Sequence, residues 1–263
     1  MYPQNEINND IKFLAKSEIR LKILNELNIC PDNVRGIVKR TKLAYSTVSS
    51  NINKLEEKKY IGKVKKRYHL NPMAKIYFNT LMEFKRSVEI INNFNAFWYM
   101  HNLNQLSMDS MQNITDLKDS KLIETTPLDI YKTHNTIKKQ LVESKEVKAI
   151  FPYLHPEYPE LIENILKNGG TIELIVPKNI LKAMMAPVNE QLKKDAIKNG
   201  KLKLHSVTDE IYLYLTICDE KMSLGLFKND DSFDQNRILI SDDKKSYEWA
   251  EELFNHVKHE VIQ

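Results

Sequence analysis

A chain of 263 residues, 42% of them apolar, is long enough for two domains of ordinary size, each with its own core. Its longest apolar runs, residues 172–177 and 212–218, are strand-length and far below the roughly 20 residues that span a bilayer; the chain opens without a cationic start and apolar stretch, so a cytoplasmic protein with no export signal is expected. The net charge of +4 hides an asymmetry, since residues 1–87 hold 18 Lys and Arg against 8 Asp and Glu, while residues 88–263 hold 21 against 27. A basic front third joined to a mildly acidic remainder points to a polyanion as partner of the front.

In chain order, residues 11–27 form the first helical pattern, with Ile11, Leu14, Ile23, Leu24 and Leu27 available for packing and Cys30-Pro31 as its end. Cys30 and Cys218 lie far apart without CxxC spacing, which argues against a disulfide framework or a structural zinc site; each is expected to be a small buried hydrophobe. Residues 33–70 carry the strongest functional pattern. A short helix turns Val34, Ile37 and Val38 inward, a turn falls at residues 41–44, and a second helix over residues 45–59 places Val48, Ile52 and Leu55 on one face. Tyr45, Ser46, Thr47, Ser49, Ser50, Asn51 and Lys54 point away from that stripe, and short donors and acceptors of this kind read base edges and phosphates. Lys63, Lys65, Lys66 and Arg67 then surround a two-stranded hairpin whose cationic tip suits a phosphate backbone. Together these are the parts of a winged helix-turn-helix that binds double-stranded DNA, with Asn51 a candidate to read adenine and the wing to grip phosphates or the minor groove.

Asn71-Pro72 starts a helix that runs without a breaker to about Asn93. Within it Tyr77, Leu81, Phe84, Val88 and Ile91 step by 4, 3, 4 and 3. That seam suits either a paired helix in a homodimer or an ordinary amphipathic helix lying on its own domain. From about residue 119, strand patterns at 121–125, 147–151, 171–176 and 201–207 alternate with helical ones at 128–144, 158–168 and 178–198. This alternation predicts an α/β domain with a largely parallel sheet. Strands at 210–218 and 221–227 form a hairpin across Asp219-Glu220, and a helix over 244–261 closes the chain.

Five short motifs in order carry a resemblance: Phe97-Trp98 with His101-Asn102-Leu103, Ile123-Glu124-Thr125-Thr126-Pro127, His155-Pro156-Glu157-Tyr158-Pro159, Ser223-Leu224-Gly225-Leu226-Phe227, and Tyr247-Glu248-Trp249-Ala250-Glu251-Glu252-Leu253-Phe254. Over residues 97–256 the chain resembles the middle domain of the archaeal methanogenesis regulatory proteins first associated with filament formation, a family of winged-helix transcriptional regulators. The front is similar too, at Tyr45-Ser46-Thr47-Val48-Ser49 and Leu55-Glu56-Glu57-Lys58. Asn102 departs from the pattern, standing where such proteins tend to carry an acidic residue. The resemblance implies a sequence-specific regulator from a methanogen-like archaeon, with a domain that senses a signal. The α/β pattern also looks like the phospholipase-D-like sensor domains of archaeal sugar-responsive regulators. That fold's His-x-Lys-x4-Asp signature is not met, because only His256-Val257-Lys258 begins to match and Gln263 stands where the aspartate belongs.

His155 follows a predicted strand and precedes a helix, where ligands of open α/β sheets bind, so this loop with Tyr158 is an effector-site candidate; its two prolines equally suit a stiffened connection. Thr125 and Thr126 precede another predicted helix, whose N-terminus would favour an anion. His256 and His259 make an incomplete metal site, and Asp230, Asp231, Asp234, Asp242 and Asp243 read as a solvated acidic surface around Ser232-Phe233. No nucleophile with its base and no phosphate-binding glycine loop appears, so the expectation is a non-enzyme with no cofactor and no metal. The resulting division is a winged helix at 1–71, a linker and dimerisation helix at 72–95, and an α/β regulatory domain at 96–263 that responds to a small-molecule effector or docks a protein partner. An enzyme fused to a DNA-targeting domain is the further alternative.

Overall fold

The structure, a computed structural model, describes residues 4–208 and 210–262. Two compact units make up the chain, Met1–Val88 and Glu89–Gln263. Their boundary falls inside the helix set apart above at 72–95.

In the first unit, α1 (Gln4–Ala15) and α2 (Glu18–Ile29) replace the single helix expected over 11–27. Ser17 takes an extended conformation and its hydroxyl accepts the Arg20 N–H at 3.3 Å, a cap that unbroken apolar spacing conceals. Leu14, Ile23, Leu24 and Leu27 are buried, but Ile11 is 56% exposed. Cys30 is exposed rather than buried, because it stands just beyond the last apolar position of α2. The Asn33 side chain caps α3 (Val34–Thr41) by accepting the Gly36 N–H, and Lys42 closes α3 in the left-handed region. Next comes α4 (Tyr45–Glu57), which ends two residues early because Lys59 turns to a φ of 60°. Ile37, Val48, Ile52 and Leu55 are fully buried between these helices. β1 (Ile61–Val64) and β2 (Arg67–Leu70) form the antiparallel hairpin, and backbone bonds between Asp32 and Tyr68 tie it to the start of α3. Helix α5 (Pro72–Asn93) contributes Ala74 and Phe78 to this core and Ile90 to the core of the second unit.

The second unit opens with α6 (Asn95–Tyr99), α7 (Met108–Gln112) and a 3-10 turn at Ile114–Leu117. There follow β3 (Lys121–Glu124), α8 (Lys132–Glu143), β4 (Glu146–Ile150), α9 (Tyr158–Lys167), β5 (Thr171–Pro177), α10 (Lys178–Met185), α11 (Glu190–Lys198), β6 (Leu202–Val207), β7 (Leu213–Cys218), β8 (Lys221–Leu226), β9 (Arg237–Ser241) and α12 (Lys244–Ile262). The seven strands order as β3-β9-β8-β7-β4-β5-β6. Only β4–β5 and β5–β6 are parallel, so the sheet is mixed and mostly antiparallel rather than largely parallel. The cause is the β7–β8 hairpin, which inserts between β4 and β9 and reverses direction at each pairing. Strand residues alternate between faces: Ile150 and Ile175 join α6 and α12 on one side, Val147, Ala149 and Leu174 join α8 to α11 on the other. Two expected helices are shorter than the periodicity suggests. The helix of 128–144 begins at Lys132, and that of 178–198 breaks at residues 186–189, where Asn189 caps a new start by accepting the Leu192 N–H.

Asp234, expected on an acidic surface, is fully buried. Its carboxylate faces His101 Nε2 at 3.1 Å and accepts from Arg237 at 3.2 Å and from the Asn236 N–H at 3.0 Å. The other nitrogen of His101 faces the Phe97 carbonyl. The His101 of the resemblance motif is thus a structural tie across 133 residues.

Candidate nucleic-acid interface

The α3–α4 corner is built by Lys42, which reverses the chain at φ 57°, and by the Thr41 hydroxyl, which donates to the Ile37 carbonyl. Ala44, the residue before α4, has no side chain able to cap, so the first-turn N–H groups of α4 remain free of a side-chain partner and the positive end of the helix faces outward. On α4, Tyr45, Ser46, Ser50 and Lys54 are exposed, while Thr47, Ser49 and Asn51 are half-buried at the flanks of the apolar stripe. The Asn51 amide donates to the Thr47 carbonyl at 2.9 Å, so one of its donors is already taken by its own helix. Asn53, not among the sequence candidates, is exposed on the same face, seven positions after Ser46. The helical spacing from Ser46 through Ser50 was the signal for it.

At the wing tip Lys65 and Lys66 have φ of 47° and 68°, two successive left-handed residues as a tight two-residue hairpin turn requires. Lys63, Lys65, Lys66 and Arg67 are exposed, and the Lys63 ammonium lies 5.1 Å from the centre of the Tyr68 ring. Among the described residues none of these four, nor Lys54, has a carboxylate within ion-pairing distance. Elsewhere in the unit Arg40 holds Glu26 and Asp32 at 2.7 and 2.5 Å, and Lys58 holds Asp10 at 3.0 Å. Exposed cations without an ion pair thus cover α4 and the wing, as they do other parts of this unit such as Arg35, Lys39 and Lys42, and Arg67 lies near enough to Asp32 to help lower its carboxyl.

In the second unit the effector-site candidates separate. His155 and Tyr158 line a cleft of about 600 Å3 with Tyr131, His134, Lys138, Tyr153 and Glu157. Tyr158 is 3% exposed; its ring stacks on Phe151 at 4.2 Å and burial pushes its phenol well above the ordinary value, so only its edge borders the cleft. Thr125 and Thr126 do not line it. Thr125 pairs with Asn236, and Thr126 closes a turn with Asp129, several residues before α8 begins, so neither stands at a helix N-terminus. His134 and Lys138 are not among the sequence candidates, although they are four apart on one helix face, and Glu157 enters the sequence only as part of the His155–Pro159 motif, with no role of its own. Glu157 binds Lys138 through one carboxylate oxygen and His134 through the other, each at 2.7 Å, which holds its carboxyl below the usual range. Burial, reinforced by the neighbouring His134, lowers His155 below the ordinary histidine value. A second cleft of about 740 Å3 lies beyond β5, lined by Lys178, Lys182, Glu210 and Tyr212 among others. No helix among the described residues is long and apolar enough to cross a membrane.

A short-cornered helix pair, a cationic hairpin and a separate mixed α/β unit define a winged-helix protein with an appended α/β unit. Residues 8–89 match the N-terminal domain, and residues 130–260 the middle domain, of the methanogenesis regulatory protein FilR1 family. The chain belongs to that family. It is 21% identical over 249 residues to the methanogenesis regulatory protein FilR1 of Methanothrix harundinacea (strain 6Ac), covering 94% of this chain and 56% of that one, so it spans about half the length of this curated relative. Among solved structures, the archaeal chromatin protein TrmBL2 aligns over 98% of both chains at 13% identity and a TM-score of 0.43. An IclR transcriptional regulator from Alicyclobacillus acidocaldarius aligns over 92% of this chain and 95% of its own at 9% identity and a TM-score of 0.25. PigF with SAH aligns over 79% and 67% at 10% identity and a TM-score of 0.24. These superpositions are too loose to carry an argument, and they lend no support to a phospholipase-D-like fold.

Proposed function

We propose that this protein is a sequence-specific, double-stranded-DNA-binding transcription regulator whose second unit tunes its activity in response to a signal. The observation that carries the reading is the row of exposed cations Lys54, Lys63, Lys65, Lys66 and Arg67, none of them ion-paired among the described residues, beside the exposed hydroxyls of α4. In this reading α4 enters the major groove with its uncapped N-terminus toward a phosphate, Ser46, Ser50 and Asn53 meet base edges, and Thr47, Ser49 and Asn51 support them from the flanks. The wing grips the adjacent backbone and adds affinity with little discrimination. Homodimerisation along α5 is part of the proposal, because Tyr77, Phe84 and Val88 of its seam are 53%, 63% and 41% exposed. The cleft beside His155 is the proposed place for an effector, and a protein partner docked on the second unit is the alternative source of control.

The test is binding to a labelled random duplex across a range of salt. Replacing Lys65, Lys66 and Arg67 with alanine should reduce the slope of log affinity against log salt by about 2 to 3, since each phosphate neutralised contributes about 0.9. An unchanged slope would remove the wing from the interface.

A further inference from the structure

We propose that His134, His155 and Glu157 form a binding site for a divalent transition-metal cation of the zinc class, open on one side to the cleft of the second unit. The inference rests on the reading of that cleft as the signal-receiving site, and it names the chemistry of the signal. One ligand atom from each residue lies within 4.8 Å of the other two. A tetrahedral ion with bonds of about 2.0 to 2.1 Å holds its ligands about 3.3 Å apart, so modest side-chain rotation closes the set. Two imidazoles and one carboxylate suit zinc and its neighbours, whereas calcium and magnesium call for an all-oxygen shell.

The candidate ligands already converge on one carboxylate. The Lys138 ammonium and His134 Nε2 each approach Glu157 at 2.7 Å, and the two imidazoles stack face to face with centres 4.2 Å apart. His155 Nδ1 accepts only a long bond of 3.2 Å from the Glu157 N–H. The Lys138 side chain is 43% exposed and can leave Glu157 for water when a metal arrives. Three protein ligands leave a fourth position facing the cleft, the arrangement of a site that exchanges its fourth ligand rather than one that merely holds a fold. Since His134 stands on α8 while His155 and Glu157 stand on the connection after β4, occupancy would clamp these two segments together.

The experiment uses the full chain after treatment with a chelator, titrated with zinc and separately with calcium in competition with a chromophoric chelator. One zinc per chain and no calcium is expected. His134→Ala, His155→Ala and Glu157→Gln should each weaken zinc binding by at least about a hundredfold, since outer-shell partners alone are worth about 10- to 100-fold. Lys138→Met should tighten it by removing the competing ammonium, a gain that a purely structural His-Glu-Lys network would not produce. Replacing His256 and His259, which share the exposed face of the last helix, should leave zinc binding unchanged. Absence of zinc binding, or zinc binding indifferent to all three ligand variants, overturns the site. Duplex affinity of the same preparations is read separately: zinc retained with no DNA bound would reject the regulator reading and leave the metal site standing.

Discussion

The two units place lysine in opposite ways. Among the described residues, the left-handed positions of the first unit are held by Lys42, Lys59, Lys65 and Lys66, while those of the second are held by Gly169, Gly200, Asp219 and Asp231. Glycine takes this conformation without strain and aspartate takes it more readily than most residues, but a lysine there costs on the order of 1 kcal/mol. The second unit also pairs its cations across its own fold, as Lys148 does with Glu251, Lys258 with Glu173 and Arg237 with Glu124. The first leaves α4 and the wing unpaired. Both units use ion pairs to hold themselves together, as Arg40 does with Glu26 in the first, but only the first also carries lysines where the backbone would prefer glycine or asparagine. Strain and uncompensated charge at the same two wing residues are what a surface selected for a partner shows.

The largest expected effect separates the units by stability. His101→Ala removes a hydrogen-bond partner of the buried Asp234 carboxyl group, which keeps Arg237 and the Asn236 N–H. Emptying a buried ring site and leaving a buried carboxylate one partner short costs about 3 kcal/mol. Both tryptophans, Trp98 and Trp249, are buried in the second unit, so denaturant unfolding followed by tryptophan fluorescence reads that unit. Its midpoint should fall while binding of random duplex at low temperature persists. Equal loss of both signals would mean that the two units do not unfold independently.

A smaller effect of opposite sign tests the first unit. The double change Lys65→Asn with Lys66→Gly gives the hairpin the residues its turn geometry favours and should raise stability by about 1 kcal/mol, measured by far-ultraviolet circular dichroism. It should also weaken duplex binding and lower its salt dependence. A variant that gained stability and kept full affinity would show that the two lysines are a matter of composition and not of function.

What was legible in the sequence divides along the same line. The first unit is made of local contacts, so apolar spacing locates α3, α4, the hairpin and the start of α5, and it fails at Ile11, Ser17, Cys30 and the end of α4, where single residues decide. In the second unit the strands were visible one by one, yet their partners were not. Alternating helix and strand suggested parallel neighbours, and nothing local reveals that the β7–β8 hairpin lies between β4 and β9. Strand β9, five residues between an acidic loop and a helix, escapes the pattern because its apolar Ile238-Leu239-Ile240 run has no alternation and fits a helix start as well as a strand. Asp234 looked solvated because its neighbours in sequence are acidic, while the partner that explains its burial lies 133 residues away. The His134–Glu157 pair is hidden for the same reason, being joined only when α8 packs beside α9.

The mildest probe perturbs neither unit and reads both. Cys30 is exposed at the end of α2, whereas Cys218 is buried in β7 with its thiol pushed up to about 12 by burial. The thiolate is the reactive form, so at neutral pH a maleimide should label the native chain once, at Cys30. The second label should appear only as the second unit opens, at a rate that follows its unfolding equilibrium when reclosing is fast relative to labelling. His101→Ala, by lowering the stability of that unit, should accelerate labelling of Cys218 by roughly a hundredfold for about 3 kcal/mol and leave Cys30 unchanged. The wing variant should alter neither rate. Intact mass measured over time distinguishes these outcomes, and rapid labelling of Cys218 in the unaltered chain would contradict the closed core that separates the second unit from the first.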